Sequence, residues 1–104
     1  MTFWRGEVSY KEADEAGTLV EFGREDFSIS QFPDDSRTMR AVCRYSTTGL
    51  IRDVTYTVGV DFKSVECFVR VAMQTHVIGS AWFRFTDTTA EAEGFTAKEG
   101  RFKQ

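Results

Sequence analysis

The segment 64-SVECFVRVAMQTHVIGSAWFRFT-86 constrains the fold of this chain more than any other part of the sequence. It contains no proline and a single glycine, yet it is far too long for one strand of ordinary length. Its residues alternate with the period of two that is typical of strands. A three-residue loop at 74–76 divides it into a hairpin that places Cys67 opposite Phe83. In this register one face is wholly apolar, whereas a shorter loop would mix the faces.

The neighbouring segments continue the same faces. Turns at 62–63, 46–49 and 88–89 place apolar residues beside apolar residues in each successive hairpin. The predicted apolar face carries Met39, Ala41, Cys43, Tyr45, Val54, Tyr56, Val58, Val60, Val65, Cys67, Val69, Val71, Met73, Phe83 and Phe85. The opposite, mixed face carries the predicted cross-strand rows Phe68–Trp82–Phe95, Glu66–Arg84–Glu93 and Arg40–Thr55–Arg70–Ser80. Aromatic pairs and opposite charges within these rows support the register.

In the N-terminal third of the chain, apolar and polar residues alternate less regularly. The segment 2-TFWRGEVSY-10 alternates as a strand, and the segments 18–22 and 27–32 are expected to pair around 23-GRED-26. The only proline lies in 32-FPDDS-36, whose composition is typical of a turn. The sequence therefore predicts about eight strands, near residues 2–10, 18–22, 27–32, 38–46, 50–61, 64–73, 77–86 and 90–96.

The composition restricts the class of protein. Ten Phe, two Trp and three Tyr favour strands over helices. A net charge of −3 gives no electrostatic footprint for nucleic acid. The N-terminus lacks the features of a signal peptide, and no apolar run is long enough to span a membrane. We therefore predict a cytoplasmic protein that binds neither nucleic acid nor the bilayer interior.

Cysteine and histidine are too few for an ordinary structural zinc site. The chain has Cys43, Cys67 and a single histidine, His76, whereas such a site takes about four ligands. We expect both cysteines to be free, buried thiols whose pKa is raised by desolvation, and His76 to be a turn residue. The sequence predicts neither a metal nor a cofactor.

The length and strand pattern favour one all-β domain, residues 1–104, with one core. Because unpaired sheet edges invite aggregation, we predict that the antiparallel up-and-down meander closes, or nearly closes, into a β-barrel. The alternative is a curved open sheet that is completed by dimerisation through its apolar face.

The size, strand count and meander order resemble the calycin group of up-and-down β-barrels, which includes lipocalins and fatty-acid-binding proteins. The nearest residues to a family motif are 3-FWRGE-7. In lipocalins the tryptophan follows the glycine of Gly-x-Trp, whereas Trp4 precedes Gly6 here, so no family binding residue is carried over to this chain. The resemblance implies that a small molecule binds in the barrel interior.

The apolar face supports a first hypothesis about function. It could line a pocket for a small apolar or amphipathic ligand, with tyrosine hydroxyls as polar groups and methionine as an adaptable wall. A filled core without a cavity is the competing interpretation. The candidate ligand-lining residues are Tyr45, Tyr56, Cys67, Met73 and Phe83.

The mixed face supports a second hypothesis, a protein-interaction or structural module. Three aligned aromatic rings, those of Phe68, Trp82 and Phe95, predict a homodimer contact, since large exposed apolar patches mark interfaces. Long arginine side chains that cover the rings on a monomer are the alternative. A third interpretation inverts the sheet: the barrel or cleft encloses the mixed face, where arginines bind a carboxylate or phosphate, and a large dimer interface covers the apolar face. Arginine suits this role because it recognises such anions in a bidentate manner. The candidate residues of this third interpretation are Arg40, Arg44, Arg70 and Arg84.

No arrangement of residues predicts catalysis. Glu66 and Glu93 beside Arg84 are typical of a surface ion-pair row, and His76 has no placed nucleophile or orienting carboxylate. We therefore expect a binding module that is not an enzyme, although catalysis by shape within a barrel stays open.

Overall fold

The computed structural model describes residues Met1–Gln104 and contains a single antiparallel sheet without helices. Its eight strands are β1 (Thr2–Ala13), β2 (Leu19–Gln31), β3 (Arg37–Tyr45), β4 (Ile51–Val58), β5 (Ser64–Ala72), β6 (Val77–Phe85), β7 (Ala90–Thr96) and β8 (Gly100–Lys103). Each strand is hydrogen-bonded to the strands adjacent to it in sequence, which confirms the all-β up-and-down meander. β1 and β8 do not pair with each other, so the sheet is open.

The sheet has no second layer against either face. Its extents are 50 × 38 × 22 Å, and its radius of gyration of 16.6 Å exceeds the value of about 13 Å expected for a compact domain of this length. Only Cys43, at 1% exposure, and Gly23 are buried. A sheet normally buries its apolar face against another layer. In this chain no second layer covers the apolar face, so the surface that would form a core is exposed.

The registers of two central hairpins agree with the sequence prediction. Between β3 and β4, Ala41 lies opposite Val54. Between β5 and β6, Cys67 lies opposite Phe83, as the alternation predicts. At the end of this second hairpin Ala72 pairs with Val77 across a β-bulge, so the predicted pairing of Met73 with Val77 does not form.

Two other hairpins are shifted by two residues from the prediction. Between β4 and β5, Tyr56 lies opposite Cys67, because a wider loop closes with Gly59 N donating to Lys63 O at 2.9 Å and with Phe62 at a positive φ of 64°. Between β6 and β7, the turn closes with Thr86 N donating to Thr89 O at 2.9 Å. A shift of two residues keeps every side chain on its face, so both faces agree with the prediction.

The prediction of two short strands between residues 18 and 32 is wrong. Leu19–Gln31 is one strand, which pairs along its length with β1. Gly23 does not form a turn but lies within the strand, where a Cβ would stand 3.2 Å from the ring of Tyr45 and 3.6 Å from that of Tyr10. The turn lies earlier, where the Asp14 carboxylate accepts hydrogen bonds from the backbone N–H groups of Ala16 and Thr18 at 2.9 Å.

The last strand, β8, was not predicted. The turn before it ends at Gly100, which has a φ of 82°, and the strand places Phe102 opposite Gly94. The predicted count of eight strands therefore agrees with the structure, although one predicted pair of strands is a single strand and β8 was missed.

The apolar face of the folded sheet keeps the predicted members on β3–β6, except that Val60 and Met73 lie in loops. It gains Trp4 and Val8 on β1, Phe27 and Ile29 on β2, and Phe102 on β8. The registers align these side chains in rows that run across the strands. One row consists of Gly6, Phe27, Ala41, Val54, Val69, Ala81, Gly94 and Phe102.

A substitution at Gly94 tests the close pairing of β6 with β7. A Cβ at this position would overlap the Ser80 carbonyl oxygen and stand 2.8 Å from Ala81 Cα, so any side chain would push the two strands apart. We expect Gly94→Ala to lower the free energy of unfolding by about 1–3 kcal/mol, as overpacking does elsewhere. Urea denaturation followed by circular dichroism measures this change.

Gly59→Ala is the matched control, because the nearest atom to its Cβ would be a movable carboxylate oxygen of Asp61 at 3.3 Å. This control should change the free energy of unfolding by less than about 0.5 kcal/mol. Equal stability of the two variants would contradict the close approach of β6 to β7.

Candidate functional site

The candidate site is a depression on the apolar face, at the C-terminal end of the meander. Its floor is low where Gly79 carries no side chain, while Phe83 and Phe102 stand at its sides. The depression has a volume of about 350 Å³ and is lined by Val69, Val71, Ile78, Gly79, Ser80, Ala81, Phe83, Phe95, Thr96 and Phe102. Of these, Ser80 and Phe95 lie opposite each other at positions whose side chains alternate onto the mixed face. Four strands, β5–β8, therefore build the site.

The chemistry of the depression is apolar. Its lining contains no ionisable side chain. Its volume lies at the lower end of the range of about 300–1,000 Å³ that small-molecule sites occupy. It can therefore remove a compact apolar group from water, and it offers no ionisable acid or base.

The structure separates the predicted ligand-lining residues. Tyr56, Cys67 and Phe83 are neighbours in one cross-strand row, but of the five predicted residues only Phe83 lines the depression. Tyr45 ends β3 at the other end of the face, and Met73 lies in the loop after β5. The Tyr56 hydroxyl is hydrogen-bonded to Ser64 Oγ, so it is already engaged within the chain.

Both cysteines are free thiols on the apolar face. Burial raises the pKa of the Cys67 thiol, as the sequence predicts for a cysteine among apolar side chains. Because the thiolate is the reactive form, Cys67 is a poor nucleophile near neutral pH.

The aromatic side chains of the mixed face do not form the predicted row. Trp82 lies opposite Phe68, as predicted, but Phe95 lies opposite Ser80 because of the shifted register between β6 and β7. The Trp82 indole N–H donates to Glu66 Oε2 at 3.0 Å, and the Arg84 guanidinium lies 4.5 Å from the ring centre. Arginine thus covers the largest of the three rings, which weakens the case for an interface on this face.

Each of the four candidate arginines of the mixed face already contacts another side chain. Arg40 binds Asp53 through hydrogen bonds of 3.3 and 3.0 Å, and this contact raises the pKa of Arg40. Arg44 pairs with Asp26 at 3.3 Å. The Arg70 guanidinium lies 5.4 Å from the ring centre of Phe68.

Arg84 contacts Glu91 at 3.5 Å and Glu93 at 3.6 Å. With Arg40 and Arg44 also paired to carboxylates, an anion would compete with a carboxylate at each of these three arginines. The anion-binding interpretation therefore gains no support from the geometry of the mixed face.

Chemistry-bearing groups are dispersed. No cluster of three or more His, Cys, Asp or Glu side chains could hold a metal ion. His76 lies in the β5–β6 loop, where its Nδ1 is 2.9 Å from Thr75 Oγ1. Among the elements there is no helix of the length and apolarity needed to cross a bilayer.

The sequence does not predict that Phe102 lines the depression, nor that the two charged residues Glu25 and Arg52 lie on the apolar face. The turn-forming segment 97-AKEG-100 followed by the alternation of Arg, Phe and Lys was the available signal for the last strand. Glu25 belongs to 23-GRED-26, for which the sequence predicts a turn, and a turn prediction assigns no face to a residue.

In comparisons with known proteins, no family model, no curated protein and no solved structure matches the chain. The resemblance to calycins therefore rests on chain length, strand number and strand order.

The raised pKa of Cys67 predicts the pH dependence of its reactivity. The reaction with a thiol-specific disulfide reagent should begin at a higher pH in the folded protein than in the urea-unfolded protein, because burial favours the neutral thiol. The same shift makes a stabilising contribution that is present below the unfolded pKa and is lost as the pH rises through the folded pKa. A Cys43→Ala variant assigns the signal to Cys67, and identical pH profiles in both states would contradict the burial.

Proposed function

We propose that this chain is a non-enzymatic binding module that holds the apolar part of a small apolar or amphipathic molecule in the depression on β5–β8. The observation that carries this proposal is the depression of about 350 Å³, with Phe83 and Phe102 at its sides and no ionisable group in its lining. Sequence reasoning assigned binding to the interior of a barrel, whereas the proposed site lies on the face of an open sheet.

The depression suits a ligand with one compact apolar end. Removing an apolar group from water contributes about 0.8 kcal/mol per buried methylene, so a short chain or a single ring is enough for measurable binding. The sheet is a single layer, so the depression has a floor and sides but no cover from this chain. A polar end of the ligand can therefore stay in solvent.

The short last strand favours an open sheet over a closed barrel. β1 has 12 residues and β8 has 4, so a direct contact between them would leave most of the β1 edge unpaired. We therefore propose the alternative architecture, a curved open sheet, as the form in which the ligand binds. The lining residues do not depend on closure, because they come from four consecutive strands.

Filling the depression tests the proposal. Ala81→Leu adds an apolar side chain to the lining and should weaken binding of an amphipathic probe, an anilinonaphthalene sulfonate dye, by about tenfold, or about 1.4 kcal/mol. The measurement is a fluorescence titration that gives both the affinity and the stoichiometry.

The matched control is Ala41→Leu, the same substitution in the same cross-strand row but outside the depression. This variant should bind the dye with the affinity of the unmodified protein. Non-saturable binding, or an equal loss in both variants, would show that the dye adheres to the apolar face in general and would refute the proposed site.

A further inference from the structure

The chain exposes more surface than a folded monomer of its size. Its accessible surface is 7517 Å² at a mass of 11.9 kDa, whereas folded monomers of this mass expose about 6,000 Å². The excess of roughly 1,500 Å² per chain is larger than the share of about 800 Å² that each partner buries in a standard protein interface. The uncovered apolar face is therefore large enough to hold a second protein layer.

The exposed large side chains of the apolar face lie mainly on its N-terminal half. Trp4 is 46% exposed, Val8 37% and Met39 37%. These residues lie on β1 and β3, away from the depression on β5–β8. Val65 on β5 is 45% exposed and also lies outside the lining of the depression. The part of the face that most needs covering is thus distinct from the candidate ligand site.

Two opposite charges lie within this half of the face. Glu25 on β2 and Arg52 on β4 both lie opposite Cys43 on β3, so they occupy one cross-strand row with a single strand between them. Neither takes part in an ion pair within the chain. Glu25 accepts one hydrogen bond, from the Tyr10 hydroxyl at 3.1 Å, which raises the pKa of Tyr10.

We infer that a second copy of this chain covers the apolar face over β1–β5, and that Glu25 of each copy pairs with the partner's Arg52. A two-fold axis that runs parallel to the strands above β3 places the partner's β4 over β2 and the partner's β2 over β4. It therefore places Glu25 opposite the partner's Arg52 twice, once on each side of the axis. Packed sheets lie about 10 Å apart, a gap that glutamate and arginine side chains can bridge.

The footprint of this arrangement agrees with a stable dimer. Five strands, each about 30 Å long and about 4.8 Å from its neighbour, cover roughly 700 Å², close to the share of each partner in a standard interface. A two-fold interface is self-complementary, so the opposite charges satisfy each other and neither is buried alone. The depression lies mostly beyond this footprint, so the dimer and the proposed ligand site can fail independently.

Charge reversal with mixing tests the pairing. In a dimer of the Glu25→Arg variant, an arginine faces an arginine at each of the two contacts. In a dimer of the Arg52→Glu variant, a glutamate faces a glutamate at each contact. Each variant alone should therefore dimerise at least about tenfold more weakly than the unmodified protein. In an equimolar mixture, the arginine introduced at position 25 meets the glutamate introduced at position 52 at one contact, and the unchanged Arg52 meets the unchanged Glu25 at the other. Both contacts are then attractive, so a heterodimer should form. Native mass spectrometry resolves the heterodimer by mass, and sedimentation velocity gives the affinities.

Asp26→Arg is the matched control. Asp26 neighbours Glu25 on β2 but faces the other side of the sheet, where its exposed pair with Arg44 contributes little. This variant should dimerise as the unmodified protein does. Circular dichroism of each variant confirms that it is folded.

Recovery of a heterodimer from two weakly associating variants would support the inference. A monomeric unmodified protein at micromolar concentration would overturn it, as would a dimer that survives both reversals. Folded variants that stay monomeric when mixed would also overturn it. The dye titration with Ala81→Leu is read separately, so a monomer that binds dye at the depression would refute the dimer and keep the ligand site.

Discussion

The stability of a single β-sheet depends on what covers its apolar face. Backbone hydrogen bonds join the eight strands to one another, but each such bond replaces one with water and contributes only about 1 kcal/mol net. Burial of apolar surface must supply most of the remaining free energy. In this chain Cys43 is the only buried hydrophobic residue, so the largest potential contribution to stability lies outside the isolated sheet. The two proposed roles of the apolar face both follow from this constraint.

The faces of the central strands could be predicted from the sequence because they depend only on alternation. Two registers shifted by two residues without altering either face, since side chains repeat with a period of two. The loops could not be predicted as well, because their widths depend on backbone conformations such as the positive φ of Phe62. The prediction of a turn at 23-GRED-26 was wrong for a related reason. Gly23 lies within a strand, where the lack of a side chain allows the rings of Tyr10 and Tyr45 to lie close to its backbone.

The candidate site was less predictable than the fold. The alternation places Phe83 on the apolar face, but the depression also depends on Gly79 and on Phe102, which only the last strand brings into place. On the mixed face, alternation placed the arginines and aromatic rings together but could not show which contacts they make. The structure pairs Arg40 with Asp53 and places Arg84 against Trp82, so these groups are largely engaged with each other.

The sequential order of the strands also determines how the sheet can come apart. All contacts between strands join elements that are adjacent along the chain, so no contact holds the two ends of the meander together. Such an arrangement resembles a linear array in which stability is a sum of nearest-neighbour terms, and opening can begin at either end. β8, with 4 residues, is then the least protected strand against hydrogen exchange. Because Phe102 belongs to it, the depression on the apolar face would lose one of its sides whenever the C-terminal end of the sheet frays.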